Sequence, residues 1–336
     1  MVSYWGLVDK SSIADKGGVD DRAGGVRAMR FYISWYPGDP FYPLYDHDDC
    51  HVLISPSSVS GTWTLRQFPR LPQSVMIDSG GYRYMSTRHQ MPTTRDTFRR
   101  QLSLLDSADV PATLCALDFP MAEPGLSSNE RDRRLADSLA YAHDFRVLVE
   151  RHGLAGKIDF MLIVQGHDVA TLTYCARVMK SLGFTSFGVG SLAGLQQYQE
   201  TLARVQAVVS VVGPGIHVFG ISSVHTIRAL ARIGVSSVDS SRPAKSAAYN
   251  EVLYSHPFRR HGILGDDGEP TGIIPKKRCL AEPLPCDCPV CLEDPWAILR
   301  IGKRQHIVHR ALHNYFHLKR AIQAGPEKQV LGPSRS

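Results

Sequence analysis

Five stretches of this 336-residue chain end in a group that could move a proton, attack carbon or hold a polar ring. They are Asp78 in IDSGGY, Asp118 in LDFP, Gln165 in VQG, Gly190 and Ser191 in VGSL, and Asp239 in VDSSR. Carboxylates serve as nucleophiles and as acid/base groups, and an amide reads a donor/acceptor edge, but only when one pocket gathers them. One Asp alone at such a place also reads as the cap of the following helix. Three of them with an amide, each closing a β-rich run, form a set that packing does not require. Gly80 and Gly81 allow a tight turn and close approach to a flat ligand, and Tyr82 offers a face for stacking. By itself DSGG is equally a plain strand-to-helix turn.

The second chemical signal is a cysteine cluster. Seven cysteines are an odd number, and Cys286, Cys288 and Cys291 are bunched, which fits a reduced compartment and a metal better than a disulfide framework. Three thiolates and an imidazole, from His313 or His309 on the following predicted helix, close a tetrahedral zinc site with no open position. Such a Zn2+ is structural, and a binding free energy on the order of 10 kcal/mol would hold a Pro-rich segment that has no apolar core. Buried free thiols are the alternative, but CxCxxC beside prolines has little hydrophobic reason to exist. His306 and His317 share the predicted helix as spare members.

These groups need a scaffold. With 43% hydrophobic and 21% charged residues the chain can bury a core, which excludes a wholly disordered or fibrous protein. The longest apolar run, Phe160 to Val164, is far short of a membrane span, and the N-terminus has no charged-then-apolar leader. A soluble, cytoplasmic protein is expected.

Eight β-branched or aromatic runs recur: 29–35, 51–56, 74–78, 113–118, 160–165, 186–190, 217–222 and 236–240. Helical spacing fills 95–108, 129–152, 168–182, 195–212, 224–233 and 243–252, with Asn129, Asp168 and Ser223 placed as N-caps and Gly153, Gly183 and Gly234 as stops. No G-x-G-x-x-G opens a helix, so a closed (β/α)8 TIM barrel suits the pattern better than an open doubly wound sheet. Residues 1–254 read as the catalytic barrel, 255–324 as a zinc-binding subdomain with a C-terminal helix over 296–324, and 325–336 as a mobile tail.

The net charge is +6, and from Arg259 onward 13 Lys/Arg stand against 8 Asp/Glu. That bias is a footprint for a polyanion or an ordinary solvated face. Lys276, Lys277, Arg278, Arg300, Lys303, Arg304 and Arg310 are the candidates for phosphate contact.

Taken in order, DSGGY, LD followed by Pro, VQG, VGSLAG, VDSSRP and CxCxxC followed by HN resemble the queuine and archaeosine tRNA-guanine transglycosylases over roughly 74–323. The shorter chain and divergent loops look closer to the DNA-modifying branch, the deazapurine-in-DNA transglycosylases (DpdA). The resemblance implies exchange of guanine in DNA for a 7-deazaguanine such as preQ0. It makes Asp239 the nucleophile and Asp78 the general acid/base. Asp118 and Gln165 hold the edge of the base, the Gly190–Ser191 turn offers backbone donors, and Tyr82 stacks. Cys286, Cys288, Cys291 and His313, the last followed by Asn314, match the zinc ligands. Arg83 stands where the tRNA enzymes usually have Gln, Ser191 replaces their second Gly, and SSRPAKSAAY only loosely follows their arginine-rich continuation. These departures touch the base and the polynucleotide rather than the chemistry.

A target base inside a duplex would have to be flipped out, with phosphate contacts offsetting the cost. The expected partners are nucleic acid, DNA ahead of tRNA, and a 7-deazaguanine base. No membrane partner is expected, and a homodimer or a helper ATPase is left open. The rivals are the same exchange on tRNA, a non-catalytic nucleic-acid-binding partner subunit, and a metal-dependent barrel hydrolase. The last lacks an H-x-H pair at a strand end.

Overall fold

The computed structural model describes residues 29–83, 91–121, 123, 125–154, 158–192 and 197–324. The eight runs become β1 (Arg30–Trp35), β2 (His51–Ile54), β3 (Ser74–Ile77), β4 (Ala112–Cys115), β5 (Asp159–Val164), β6 (Ser186–Val189), β7 (Ile216–Val218) and β8 (Val235–Ser240). Each pairs in parallel with the next, and β8 returns to β1 with Asp239 opposite Tyr32, closing the barrel. The period-two pattern divides each strand between two environments. Tyr32, Leu53, Met76, Cys115, Met161 and Ile163 pack inside the barrel, whereas Phe31, Ile33, Val52, Ile54, Leu114 and Leu162 join the shell beneath the helices.

The crossovers carry α1 (Thr94–Leu105), α2 (Ser128–His152), α3 (Val169–Ser181), α4 (Tyr198–Val212) and α5 (Val224–Arg232), and α6 (Arg242–Ala248) follows β8. Asp168 closes a reciprocal capping box with Thr171, and Ser223 caps α5 as expected. Helix α2 is capped by Ser127, whose hydroxyl accepts from Glu130 N, so Asn129 falls inside its first turn. Between β1 and β3, a stretch broken by prolines, the connections hold only short 3-10 turns among the described residues.

Two expected helices are shorter. The one anticipated over 243–252 stops at Ala248, because Asn250 takes a left-handed φ of 54° and Val252 enters strand β9 (Glu251–Ser255). Strand β9 pairs antiparallel with β10 (Phe258–Ile263), which adds β11 (Cys279–Leu280) in parallel. The run anticipated over 296–324 divides at Gly302, φ 86°, into a 3-10 turn at Pro295–Ile298 and a long helix. The cysteine segment carries α7 (Pro289–Glu293), and the long helix is α8 (Arg304–Gln323). The tail 325–336, anticipated as mobile, lies outside the described residues. No helix among the described residues is long and apolar enough to cross a membrane.

Helix α8 is buried on the barrel. Tyr315 stacks near Phe31 of β1 and Tyr42, with ring centroids 6.1 and 4.9 Å away, and its hydroxyl donates to Asp46 at 2.6 Å. Asn314 is fully buried: its oxygen accepts Leu253 N, and its amide donates to the carbonyls of Glu251 and Pro243.

Arg310 is a correction to the phosphate candidates. Only 1% exposed, it donates to the carbonyls of Ala247 and Arg300 and to Asn250 Oδ1, so its guanidinium is consumed in joining α8 to the end of α6. Periodicity alone could not separate a basic residue turned inward from one turned outward. Arg310→Met is expected to lower stability by about 1–3 kcal/mol in urea unfolding, because one buried and two partly buried hydrogen bonds lose their donor. It should leave the salt dependence of nucleic-acid binding unchanged, and a flattened salt slope would restore Arg310 to the phosphate contacts.

Candidate active site

The C-terminal ends of the strands open on a cavity of about 540 Å3, lined by Asp78, Tyr82, Asp118, Gln165, Gly190, Ser191 and Asp239 among others. That volume is ordinary for a small-molecule site. Asp78 and Asp239, 161 positions apart in sequence, meet here only because the barrel closes.

Asp239 points inward from β8, on the same face as Ser237. Ser34 Oγ donates to Oδ2 at 2.7 Å, and Gly220 N donates to Oδ1 at 2.8 Å. His217, wholly buried, places Nε2 3.3 Å from Oδ1, while its Nδ1 lies 2.9 Å from Ser237 Oγ. When Ser237 donates to Nδ1, Nε2 carries the proton and becomes the third donor. Asp239 caps no helix, so the bland sequence reading does not explain it. Ser34 escapes the sequence reading, although period-two alternation puts it on the inward face with Tyr32, and His217 enters it only as half of a missing metal pair.

Asp78 and Asp118 form a second acidic centre. Ser79 Oγ donates to Asp118 Oδ1 at 2.7 Å, and Gln165 Nε2 donates to Oδ2 at 2.5 Å. Burial lifts the Asp118 carboxyl to about 6 despite both bonds. Burial lifts Asp78 further, to about 7, with the neighbouring Asp118 charge as the next cause and Asp239 adding to it; Ser79 N, 2.6 Å from Oδ1, opposes the rise. Two carboxyls raised toward neutrality by burial in one place can take up and release a proton near neutral pH.

Glycines make the approach possible. A methyl group at Gly81 would lie 2.5 Å from Asp118 O. One at Gly190 would collide with the Gln165 amide. Gly190 N donates to Val164 O at 3.1 Å, so that backbone donor is spent on the barrel and does not face a ligand. Ser191 takes a left-handed φ of 56°. Its hydroxyl donates to Gln165 Oε1 and accepts Met121 N, bonds a glycine could not make. Tyr82 follows Gly81 and is 59% exposed, at the rim.

The metal candidates converge away from this mouth. Cys286, Cys288, Cys291 and His313 place one donor atom each within 4.8 Å of one another. The three sulfurs lie 3.7, 3.4 and 3.3 Å from His313 Nδ1, close to the roughly 3.6 Å sulfur–nitrogen edge of a tetrahedron with zinc-like bond lengths. His313 Nε2 lies 2.9 Å from Leu253 O, which holds the ring so that Nδ1 faces the sulfurs. The four residues therefore fit a metal ion. His309 is not among them, and His317 approaches only Cys286, with Nε2 3.1 Å from its sulfur.

The remaining basic candidates do not line the cavity. Lys276 pairs with Glu269 and Arg300 with Asp294, each at 2.7 Å, and Arg278 donates to Arg260 O at 2.9 Å. Lys277, Lys303 and Arg304 are exposed. The cations that do line the cavity are Arg83, Arg242, Lys245 and Arg260.

A closed parallel barrel with carboxyls at its mouth and a C-terminal Cys3His appendage defines a narrow class of proteins. Residues 51–324, from β2 through the end of α8, match the model of the queuine tRNA-ribosyltransferase family, and the chain belongs to that family. No curated protein matches the chain.

Two outcomes follow from this geometry. Asp78 titrates near 3.8 when unfolded and at about 7 when folded, so its stabilising protonated form is fully present below about pH 4 and is lost as pH rises through 7. Asp78→Asn should therefore raise stability near pH 8 by on the order of 2–4 kcal/mol and change it little near pH 4. Equal gains at both pH values in urea unfolding would contradict the shift. Stripping bound metal with a chelator, or Cys288→Ser, should lower the melting temperature by on the order of 10 °C. An unchanged melting temperature, with no metal by mass spectrometry, would remove the metal site.

Proposed function

We propose that this protein is a transglycosylase that exchanges guanine in DNA for a 7-deazaguanine base such as preQ0. Family membership supports pentosyl transfer onto a guanine-type base in nucleic acid. The observation that carries the chemistry is one cavity holding a carboxylate fixed by neighbouring donors, Asp239, beside a carboxyl that titrates at about 7, Asp78.

Cleavage of an N-glycosidic bond develops positive charge at C1′. The Asp239 carboxylate attacks C1′, the bond to guanine breaks, and the departing ring takes the proton held by Asp78. The sugar is then esterified to Asp239. The incoming deazaguanine gives its ring proton to the Asp78 carboxylate, its nitrogen attacks C1′, and Asp239 leaves as a carboxylate. Two inversions retain configuration.

Tyr82 stacks on the base, and Asp118 and Gln165 bind its edge. Ser191 holds Gln165 in register, and Gly190 keeps the space that Gln165 needs. A base held this way competes with water for the ester.

Residues 1–254 act as the catalytic barrel and 255–324 as the metal-binding subdomain. Cys286, Cys288, Cys291 and His313 would hold zinc, which closes the appendage and takes no part in transfer. Thiolates kept for a metal suit a reducing, cytoplasmic setting. Lys277, Lys303 and Arg304 remain candidates for contacts with flanking phosphates.

DNA is placed ahead of RNA because Arg83 follows the stacking aromatic and Ser191 stands in the turn. The second reading is tRNA, favoured by the family's own description.

Incubation with labelled preQ0 and either single-stranded DNA, plasmid DNA or tRNA should place label in DNA. Asp239→Ala should lower exchange by at least about 1,000-fold with binding retained, and Asp78→Asn by roughly 100- to 10,000-fold. Label confined to tRNA would move the substrate to RNA. Full exchange by Asp239→Ala would overturn the mechanism.

A further inference from the structure

One part of the cavity, its basic lobe, is lined by α6, the residues just after it and the β9–β10 hairpin. Its walls are Arg242, Lys245, Ser246, Tyr249, Glu251 and Arg260. The transfer chemistry uses none of them.

This lobe holds three cations against one carboxylate. Glu251 is buried, and it is already satisfied by Ser246 Oγ at 3.0 Å and Arg260 Nη1 at 3.3 Å. Arg260 is thus paired, and Glu251, the one carboxylate among these walls, is left to offset Arg242 and Lys245 as well, three cations against one acid. Arg242 is half-buried, and its Nη1 donates to Ser222 Oγ at 3.2 Å. Its Nε is buried and has no hydrogen-bond partner among the described residues. Burial, with Arg260 nearby, lowers its pKa. A buried cationic donor without an acceptor is costly, and it is retained where a ligand brings the acceptor.

A planar guanidinium fork matches the oxygens of a phosphate group. Arg242 begins α6 directly after the strand that ends at Ser240, three residues beyond Asp239. Tyr249 and Ile273, 65% and 77% exposed, border the same cavity and offer flat and apolar surface where a neighbouring base would leave it.

We propose that Arg242, flanked by Lys245 and Arg260, binds the phosphate next to the nucleotide whose sugar Asp239 attacks. The site thereby selects a nucleotide in a chain over a free nucleoside. This rests on the reading of Asp239 as nucleophile, and it adds a binding subsite with its own ligand chemistry.

Titration calorimetry at low salt with 2′-deoxyguanosine 3′,5′-bisphosphate and 2′-deoxyguanosine tests it without turnover. The wild-type protein should bind the bisphosphate roughly 10- to 100-fold tighter than the nucleoside. Arg242→Gln should lose that advantage, and Arg242→Lys should keep part of it because the charge remains but not the fork. Nucleoside affinity should stay unchanged in both variants, which separates a phosphate contact from general damage to the cavity. The ribose counterparts distinguish an RNA source of the phosphate from a DNA one.

No bisphosphate advantage in the wild type, or a full advantage in Arg242→Gln, would overturn the subsite. An Arg242-dependent advantage with no exchange on DNA or tRNA would instead sink the transferase reading and leave the subsite standing.

Discussion

Three carboxyl groups share one cavity, and the cost of holding carboxyls out of bulk water governs the rest of the site. The barrel answers by giving them unequal partners. Asp239 accepts from Ser34 and Gly220, with His217 beside it; Asp118 accepts from Ser79 and Gln165; Asp78 is left chiefly with backbone N–H of its own turn. Burial and the adjacent Asp118 charge push Asp78, which lacks side-chain donors like those of the other two, to about 7. Environment, not residue type, thus sets side chains of one kind apart.

That division requires sub-ångström placement, and barrel closure supplies it. Pairing of β8 with β1 sets Tyr32 opposite Asp239 and brings Ser34, two residues on, to its carboxylate. His217 is opposite Ser237 across β7 and β8, so the side chain that orients the imidazole comes from the same strand as the carboxylate it touches. The acidic pair depends on absent side chains instead. Gly81 lets its turn lie against Asp118, and Gly190 leaves room for Gln165.

Much of this was legible in the sequence because strand ends in a barrel carry polar residues that break an apolar run. Asp78, Asp118, Gln165 and Asp239 each stand at such a break, and eight strands in order left little choice of topology. The supporting residues were harder to see. Ser34 and His217 look like ordinary polar members of a strand until the register of the neighbouring strand is known. Basic residues were hardest. Arg310 and Arg304 are neighbours on one helix, yet one is sealed under α6 and the other is exposed. Arg242 and Arg260 line the cavity although neither is among the phosphate candidates, and Arg242 lies outside the basic C-terminal stretch altogether. Sign and density of charge are sequence properties; direction is a property of packing.

The appendage is part of the site's wall. His313 holds Leu253 O through Nε2 while Nδ1 faces the cysteines, and Asn314 beside it holds Leu253 N and Glu251 O. These two adjacent side chains therefore lock β9 against α8. Strand β9 starts with Glu251, whose carboxylate anchors Ser246 of α6 and Arg260 of β10 at the edge of the cavity. A contiguous set of bonds runs from the cysteine cluster to the cavity lobe beside Asp239. A loosened appendage would free β9, then Glu251, then the two elements that carry Arg242 and Arg260. The cysteine cluster, although it lies outside the cavity lining, thus bears on where the chain beyond Asp239 can go.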